Sequence, residues 1–206
     1  MNRSAPTRLS FIPCCLLLLA LVGCVHSTGS DTTDRAPLPL KTTHGKALDS
    51  ALEGDGSDIV TLIFTSTDCP VANAMAPQLS RDLRRFEELG IRCYLVYPRR
   101  GVTFEEATRH RDDYGLEATV LLDPDHVLVE ALDATITPEA FVIDFQGSGE
   151  PRVRYRGRIN DLYPSIGSRR DLATRHEWRD AVQAVKEGAD FDPEGPGAVG
   201  CMIQRQ

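Results

Sequence analysis

The sequence predicts an α/β sandwich around one mixed sheet. Three observations carry that expectation. β-rich apolar runs and helical stripes alternate along the middle of the chain. Two further strand segments flank Gly147-Ser148-Gly149 and read as an antiparallel hairpin, and a last amphipathic segment follows them.

The elements follow in order. Residues 58–64 (Asp-Ile-Val-Thr-Leu-Ile-Phe) are a continuous apolar run, the signature of a strand buried on both faces. Residues 70–89 carry Ala72, Met75, Ala76, Leu79, Leu83 and Phe86 on one helical stripe, stopped by Gly90. Residues 91–97 form a second strand, 103–114 a polar helix stopped by Gly115, 118–122 a third strand and 126–132 a short helix. The hairpin strands are 139–144 and 152–158. Thr174 and Glu177 have the spacing of a capping box for the last helix, which buries Trp178, Ala181, Val182 and Val185 and ends at Gly188.

At 206 residues the chain is long enough for one domain with a full core. A 41% hydrophobic and 26% charged composition excludes collagen-like, coiled-coil and wholly disordered chains. A net charge of −7 argues against a nucleic-acid-binding surface. No apolar run reaches the 18 or so residues of a spanning helix.

Residues 1–23 have the order of an export signal: Arg3 and Arg8, an apolar run over 11–22, then Gly23-Cys24. Leu21-Val22-Gly23-Cys24 resembles a bacterial lipoprotein box, which implies cleavage before Cys24, lipidation of its thiol and attachment to a membrane in the cell envelope. The alternative is an ordinary secretory signal cut elsewhere. Residues 24–43 then read as a polar tether, 44–188 as the domain and 189–206 as a tail. Cys14 and Cys15 leave with the signal, so Cys69, Cys93 and Cys201 are the thiols of the exported domain. An odd number in an oxidising compartment means at least one is unpaired or reactive.

The sharpest feature is Phe64-Thr65-Ser66-Thr67-Asp68-Cys69-Pro70-Val71-Ala72-Asn73, which runs from a strand into a helix. Pro70 suits the first helical position and puts Cys69 at the N-cap, where the helix dipole favours a thiolate. The carboxylate of Asp68 is expected to oppose that charge. The plainer reading of Cys69 is a buried residue at a helix start. Thr137-Pro138 stands directly before strand 139–144, a position suited to a cis peptide.

Together these features resemble the thioredoxin-like superfamily, in which a cis-proline loop packs against the reactive cysteine. The resemblance spans residues 44–188. Leu121-Leu122-Asp123-Pro124-Asp125, Thr137-Pro138-Glu139-Ala140-Phe141-Val142-Ile143-Asp144 and Arg154-Tyr155-Arg156-Gly157-Arg158-Ile159 resemble its redoxin branch, the peroxiredoxin-like and membrane-anchored proteins. The closing Val199-Gly200-Cys201-Met202-Ile203 is similar to the tail of that secreted subgroup. The resemblance implies a thioredoxin-like sandwich with Cys69 as its reactive thiol, Ser66, Thr137 and Pro138 beside it, and no cofactor. Its implied partners are protein thiols and disulfides or peroxides.

The departures are specific. Thioredoxins carry a second cysteine three residues after the first, where this chain has Ala72. The peroxiredoxin motif places a proline where this chain has Leu62, and the family arginine falls at Pro138. Copper-delivery relatives need a second cysteine at Asn73, a poor ligand for a soft metal. Cys201 is therefore either a resolving or disulfide partner for Cys69 on a tail that folds back, or part of a frayed end. Cys93, between Ile91 and Leu95 on a strand face, reads as an inert core thiol. His44, His110, His126 and His176 show no metal-ligand spacing, and His176 reads as solvated. Arg152, Arg154, Arg156 and Arg158 alternate onto one strand face. With Arg169 and Arg170, they read as a solvated surface or an anion-attracting patch. The expected function is an extracytoplasmic thiol-based oxidoreductase. The alternatives are a binding module that kept the fold and lost catalysis, and a copper-binding assembly factor.

Overall fold

The six residues of β1 (Ile59–Phe64) are all buried and form the middle strand of a five-stranded sheet, in a computed structural model that describes residues 59–145 and 152–205. The export signal, Cys24, the tether, the start of the domain at 44–58 and the Gly-Ser-Gly turn lie outside the described residues. In chain order, β1 is followed by α1 (Pro70–Glu88), β2 (Arg92–Tyr97), α2 (Phe104–Asp113), β3 (Thr119–Leu122), α3 (Val127–Leu132), β4 (Ile136–Thr137), β5 (Glu139–Asp144), β6 (Arg152–Gly157), α4 (Glu177–Lys186) and β7 (Cys201–Met202). The expected bounds of each main-sheet strand and each helix hold to within a residue, except where α4 begins.

The strand order is β3-β2-β1-β5-β6. β1, β2 and β3 run parallel, while β5 is antiparallel to β1 and β6 to β5. This is the expected mixed sheet flanked by helices, a thioredoxin-like sandwich. The period-2 alternation of β1 divides the core. Ile59 and Ile63 face α1 and α4 with Leu79, Leu83, Phe86 and Trp178, while Val60, Leu62 and Phe64 face α3 with Leu128, Val129 and Leu132. Thr61, the polar residue of β1, donates to the Phe141 carbonyl (2.7 Å) and accepts from Trp178 Nε1 (2.7 Å), so its buried hydroxyl is satisfied.

Helix α1 begins at Pro70 and ends at Gly90, whose φ of +71° is the left-handed cap that glycine adopts without steric penalty. The Thr103–Glu106 capping box opens α2: Glu106 N donates to Thr103 Oγ1 (3.2 Å) and Thr103 N to Glu106 Oε2 (2.8 Å).

Two local expectations are corrected. Thr174 and Glu177 make no capping box. The Thr174 hydroxyl donates to buried Asp161 (2.6 Å), Glu177 pairs with Arg158, and the N-cap of α4 is His176. His176 is half-buried rather than solvated, and its Nδ1 has no partner.

The tail is not a frayed end. Arg156 N donates to Pro193 O (2.8 Å), Gly195 N to Arg156 O (2.9 Å) and Arg158 N to Pro196 O (3.0 Å), which pins the tail along β6. It then crosses to β4, where β7 pairs antiparallel with Thr137 opposite Cys201.

Candidate active site

Cys69 is the N-cap of α1 and is 1% exposed. Its S–H donates to the Thr137 carbonyl at 3.0 Å, beside the cis Thr137-Pro138 bond. Burial works to raise its pKa. The hydrogen bond from the Cys201 thiol, the backbone N–H groups of Ala72 and Cys201 and the Thr137 hydroxyl outweigh burial, and the Cys69 pKa falls below that of an ordinary thiol.

Cys201 is the partner in that contact. Strand β7 holds it opposite Thr137, whose hydroxyl donates to the Cys201 carbonyl (3.3 Å), and Ile203 N donates to Thr135 O (2.8 Å). Burial, and then the neighbouring Cys69 sulfur, push the Cys201 thiol up to about 11. The two thiols are free and within hydrogen-bonding reach of each other, and their pKa values are driven apart, so Cys69 gives up its proton before Cys201 does. Gly200 makes the approach possible, since a Cβ there would lie 2.0 Å from the Thr137 oxygen.

Asp68 does not oppose Cys69 in the expected way. Its carboxylate accepts from Ser66 Oγ (2.5 Å) and pairs with Arg99, and the Ser66 hydrogen bond and the Arg99 charge hold its pKa below the usual carboxylate value. Its field acts on Cys201, where it adds to the upward shift. Ser66 thus reaches the thiol pair through Asp68, and Cys69 N meets only the Ser66 carbonyl (3.4 Å).

Beneath the helix N-terminus runs a buried polar chain. Tyr97 OH lies 2.9 Å from His110 Nδ1, His110 Nε2 lies 2.9 Å from Asn73 Oδ1, and Asn73 Nδ2 donates to Thr67 O at 3.3 Å. The Asn73 oxygen can only accept, so His110 carries its proton on Nε2 and Tyr97 donates to Nδ1. Burial keeps His110 below its ordinary pKa and therefore neutral. The chain ties the loop before Cys69 to β2 and α2.

Buried Glu139 accepts from Thr135 N (2.8 Å) and Ile136 N (3.3 Å), fixing the backbone on which β7 docks. A cleft of about 500 Å³ opens beside the thiol pair, lined among others by Arg99, His126, Cys201, Met202 and Ile203. Cys201 borders this cleft; Cys69 lies behind it.

A profile of the AhpC/TSA family matches residues 34–148, more than half of the chain. The chain belongs to the AhpC/TSA family. No curated protein matches it significantly. Among solved structures, it is similar to a hypothetical protein of Sinorhizobium meliloti 1021, with 24% identity, a TM-score of 0.61, and coverage of 71% of this chain and 79% of that one. An uncharacterized conserved protein of Geobacillus kaustophilus is similar at 21% identity and TM-score 0.62, over 73% and 79% of the two chains. A secreted disulfide oxidoreductase of Mycobacterium tuberculosis is 21% identical over 46% of this chain and 68% of that one, with a TM-score of 0.39.

Cys69, Thr137 and Pro138 of the matched region come together with Cys201, which lies beyond it, and Ser66 reaches them through Asp68. Cys93 is buried, and burial pushes its pKa far up. The hairpin arginines do not share one face, because a β-bulge sets Val153 on one side of the sheet and Tyr155 on the other, and three of the four are ion-paired: Arg154 with Asp144, Arg156 with Glu194 and Asp133, and Arg158 with Glu177. Sequence reasoning did not place Arg99, His110 or Glu139 at the site. Arg99 lies two residues past β2, at the carboxyl end of a parallel strand, and that position was the signal available for it. Among the described residues no three His, Cys, Asp or Glu side chains converge as a metal site, and both amide atoms of Asn73 are engaged. No helix among the described residues is long and apolar enough to cross a membrane.

Proposed function

We propose that this AhpC/TSA chain is an exported, membrane-anchored thiol oxidoreductase that cycles Cys69 and Cys201 between dithiol and disulfide. The observation that carries the reading is the contact between a thiol of lowered pKa at a helix N-terminus and a second free thiol delivered by the tail. Exchange with a partner disulfide takes two electrons and two protons from the pair, forms the Cys69–Cys201 bond and leaves that partner as a dithiol; exchange with a partner dithiol returns them and leaves that partner as a disulfide. Cys201 thereby takes the place of the second cysteine that Ala72 withholds from the helix. The anchor is supported by the leader sequence and Cys24. Exchange with protein thiols is favoured over peroxide reduction because the sulfur bordering the cleft is Cys201, while Cys69 is 1% exposed.

The test is non-reducing peptide mapping of the mature chain after oxidation with diamide. The expected product joins the peptides of Cys69 and Cys201. A Cys201 that stays alkylatable while Cys69 pairs only with small thiols overturns the two-cysteine cycle.

A further inference from the structure

We infer that in the oxidised protein an incoming thiolate attacks Cys201, not Cys69, so that partners are joined to the chain through its C-terminal strap while Cys69 is the leaving group. The inference rests on the proposed Cys69–Cys201 cycle and adds a direction to it.

Three observations carry it. Access comes first. Thiol–disulfide exchange needs the attacking sulfur to approach along the S–S axis, from the side opposite the sulfur that leaves. Cys201 borders the 500 Å³ cleft, whereas Cys69 lies beneath β7, the Thr137 carbonyl and its own helix start. An attacker in the cleft meets Cys201 first, with Cys69 behind it. The second is the fate of the leaving sulfur. Cys69 stands at the N-terminus of a 19-residue helix, with the Ala72 and Cys201 N–H groups ready to receive a thiolate. Cys201 has the Asp68 carboxylate near it and no helix end. Expelling Cys69 is therefore faster than expelling Cys201. The third is the cleft wall. Met202, 80% exposed, and the half-buried Ile203 line the cleft together with Cys201, Arg99 and His126. This suits a cysteine presented on an extended peptide segment, with an apolar neighbour against Met202.

The chemistry balances. The partner's thiolate bonds to Cys201 Sγ, the Cys201–Cys69 bond breaks, and its electron pair leaves on Cys69. A second thiolate of the same partner then attacks the partner's first sulfur and expels Cys201, which takes a proton. The partner dithiol becomes a disulfide, and the chain's disulfide becomes a dithiol. This arrangement reverses that of a Cys-x-x-Cys protein, where the helix-start cysteine carries the partner.

Rapid acid quench tests the direction on the unmutated mature chain. The diamide-oxidised protein is mixed with excess of a short cysteine peptide, quenched on the millisecond scale, alkylated and mapped. The expected mixed disulfide sits on Cys201 with Cys69 alkylated, in about ten-fold excess over the reverse, the ratio expected if leaving-group stability differs by one decade. Peptide joined to Cys69, or shared equally, overturns the inference while leaving the cycle intact. Failure of diamide to join the two cysteines at all overturns the cycle itself, and the inference with it.

Discussion

Replacing Gly200 by alanine isolates the strap from the domain. The added Cβ would lie 2.0 Å from the Thr137 oxygen, 2.8 Å from its carbonyl carbon and 3.1 Å from Ile136 Cγ2. Two of those atoms are backbone of the loop that Glu139 holds, so no side-chain rotation relieves the clash. Strand β7 must separate from β4. Separation breaks the pairing of Thr137 with Cys201 and of Ile136 with Met202, the Thr137 hydroxyl bond to Cys201 O and the Ile203 N bond to Thr135 O. At roughly 0.5–1.5 kcal/mol net for each hydrogen bond, strap docking weakens by about 2–3 kcal/mol. That is about a thirty- to one-hundred-and-fifty-fold loss in the equilibrium constant for closing the Cys69–Cys201 disulfide.

Equilibration with a glutathione redox buffer, followed by acid quench and mass mapping, reads that constant directly. The main sheet is untouched, so fluorescence of Trp178, the sole tryptophan, should report an unfolding transition close to that of the unmutated protein. Gly197→Ala serves as the matched control, because a Cβ there meets nothing within 4 Å. If Gly200→Ala leaves the disulfide constant within about three-fold of the parent, the docking of β7 is not what brings the sulfurs together, and the reasoning fails.

Three further outcomes follow from the same structure. Cys201→Ala removes the thiol that donates to Cys69, so the ultraviolet thiolate titration of Cys69 should move to higher pH; an unchanged or lower midpoint would refute the proton-sharing account. Asp161 is buried, but hydrogen bonds from Thr174 and Arg175 and the charge of Arg170 overcome burial and hold its carboxyl well below the usual range. A depressed carboxylate gives stability that is present above its unfolded value near pH 4 and is lost as pH falls toward the folded one. Asp161→Asn should therefore flatten the decline in stability below about pH 4 while lowering stability at pH 7, as measured by denaturant titration. Cys24→Ser should release the protein from the membrane fraction on cell fractionation; a processed variant that still sediments with membranes would show that another element holds it.

The hydrophobic pattern made the fold legible. A continuous apolar run made β1 readable as a buried strand, and the stripe from Ala72 to Phe86 made α1 readable nearly to the residue. Cys69 and Pro138 were legible because proline and a helix start leave local marks. The residues that tune the site were not, because their partners are distant in sequence. Asp68 read as a repelling charge because Arg99 lies 31 positions away, and His110 meets Asn73 across 37. Thr174 and Glu177 had the spacing of a capping box, but local pairing lost to a buried carboxylate at Asp161 and a guanidinium at Arg158, each a stronger partner than a backbone N–H. The alternation expected to put Arg152, Arg154, Arg156 and Arg158 on one face of β6 fails at a β-bulge, where Val153 packs on one side of the sheet and Tyr155 on the other, and the acids that meet Arg154, Arg156 and Arg158 come from β5, α4, the loop after α3 and the tail.

The site is assembled by a part of the structure that the main core does not need. Ala72, three residues after Cys69, points into the core at 6% exposure, so the first turn of α1 is used for packing. The second sulfur arrives instead on a two-residue strand, opposite a loop whose two N–H groups are held by one carboxylate. Burial raises the pKa of that Glu139 carboxyl, and Arg156, itself tied to Glu194 of the tail, opposes the rise. The tail therefore acts on the site twice: through Cys201 directly, and through Glu194, which holds the Arg156 charge that acts on Glu139. Weakening β7 should thus change redox behaviour before it changes folding, because the two depend on different hydrogen bonds.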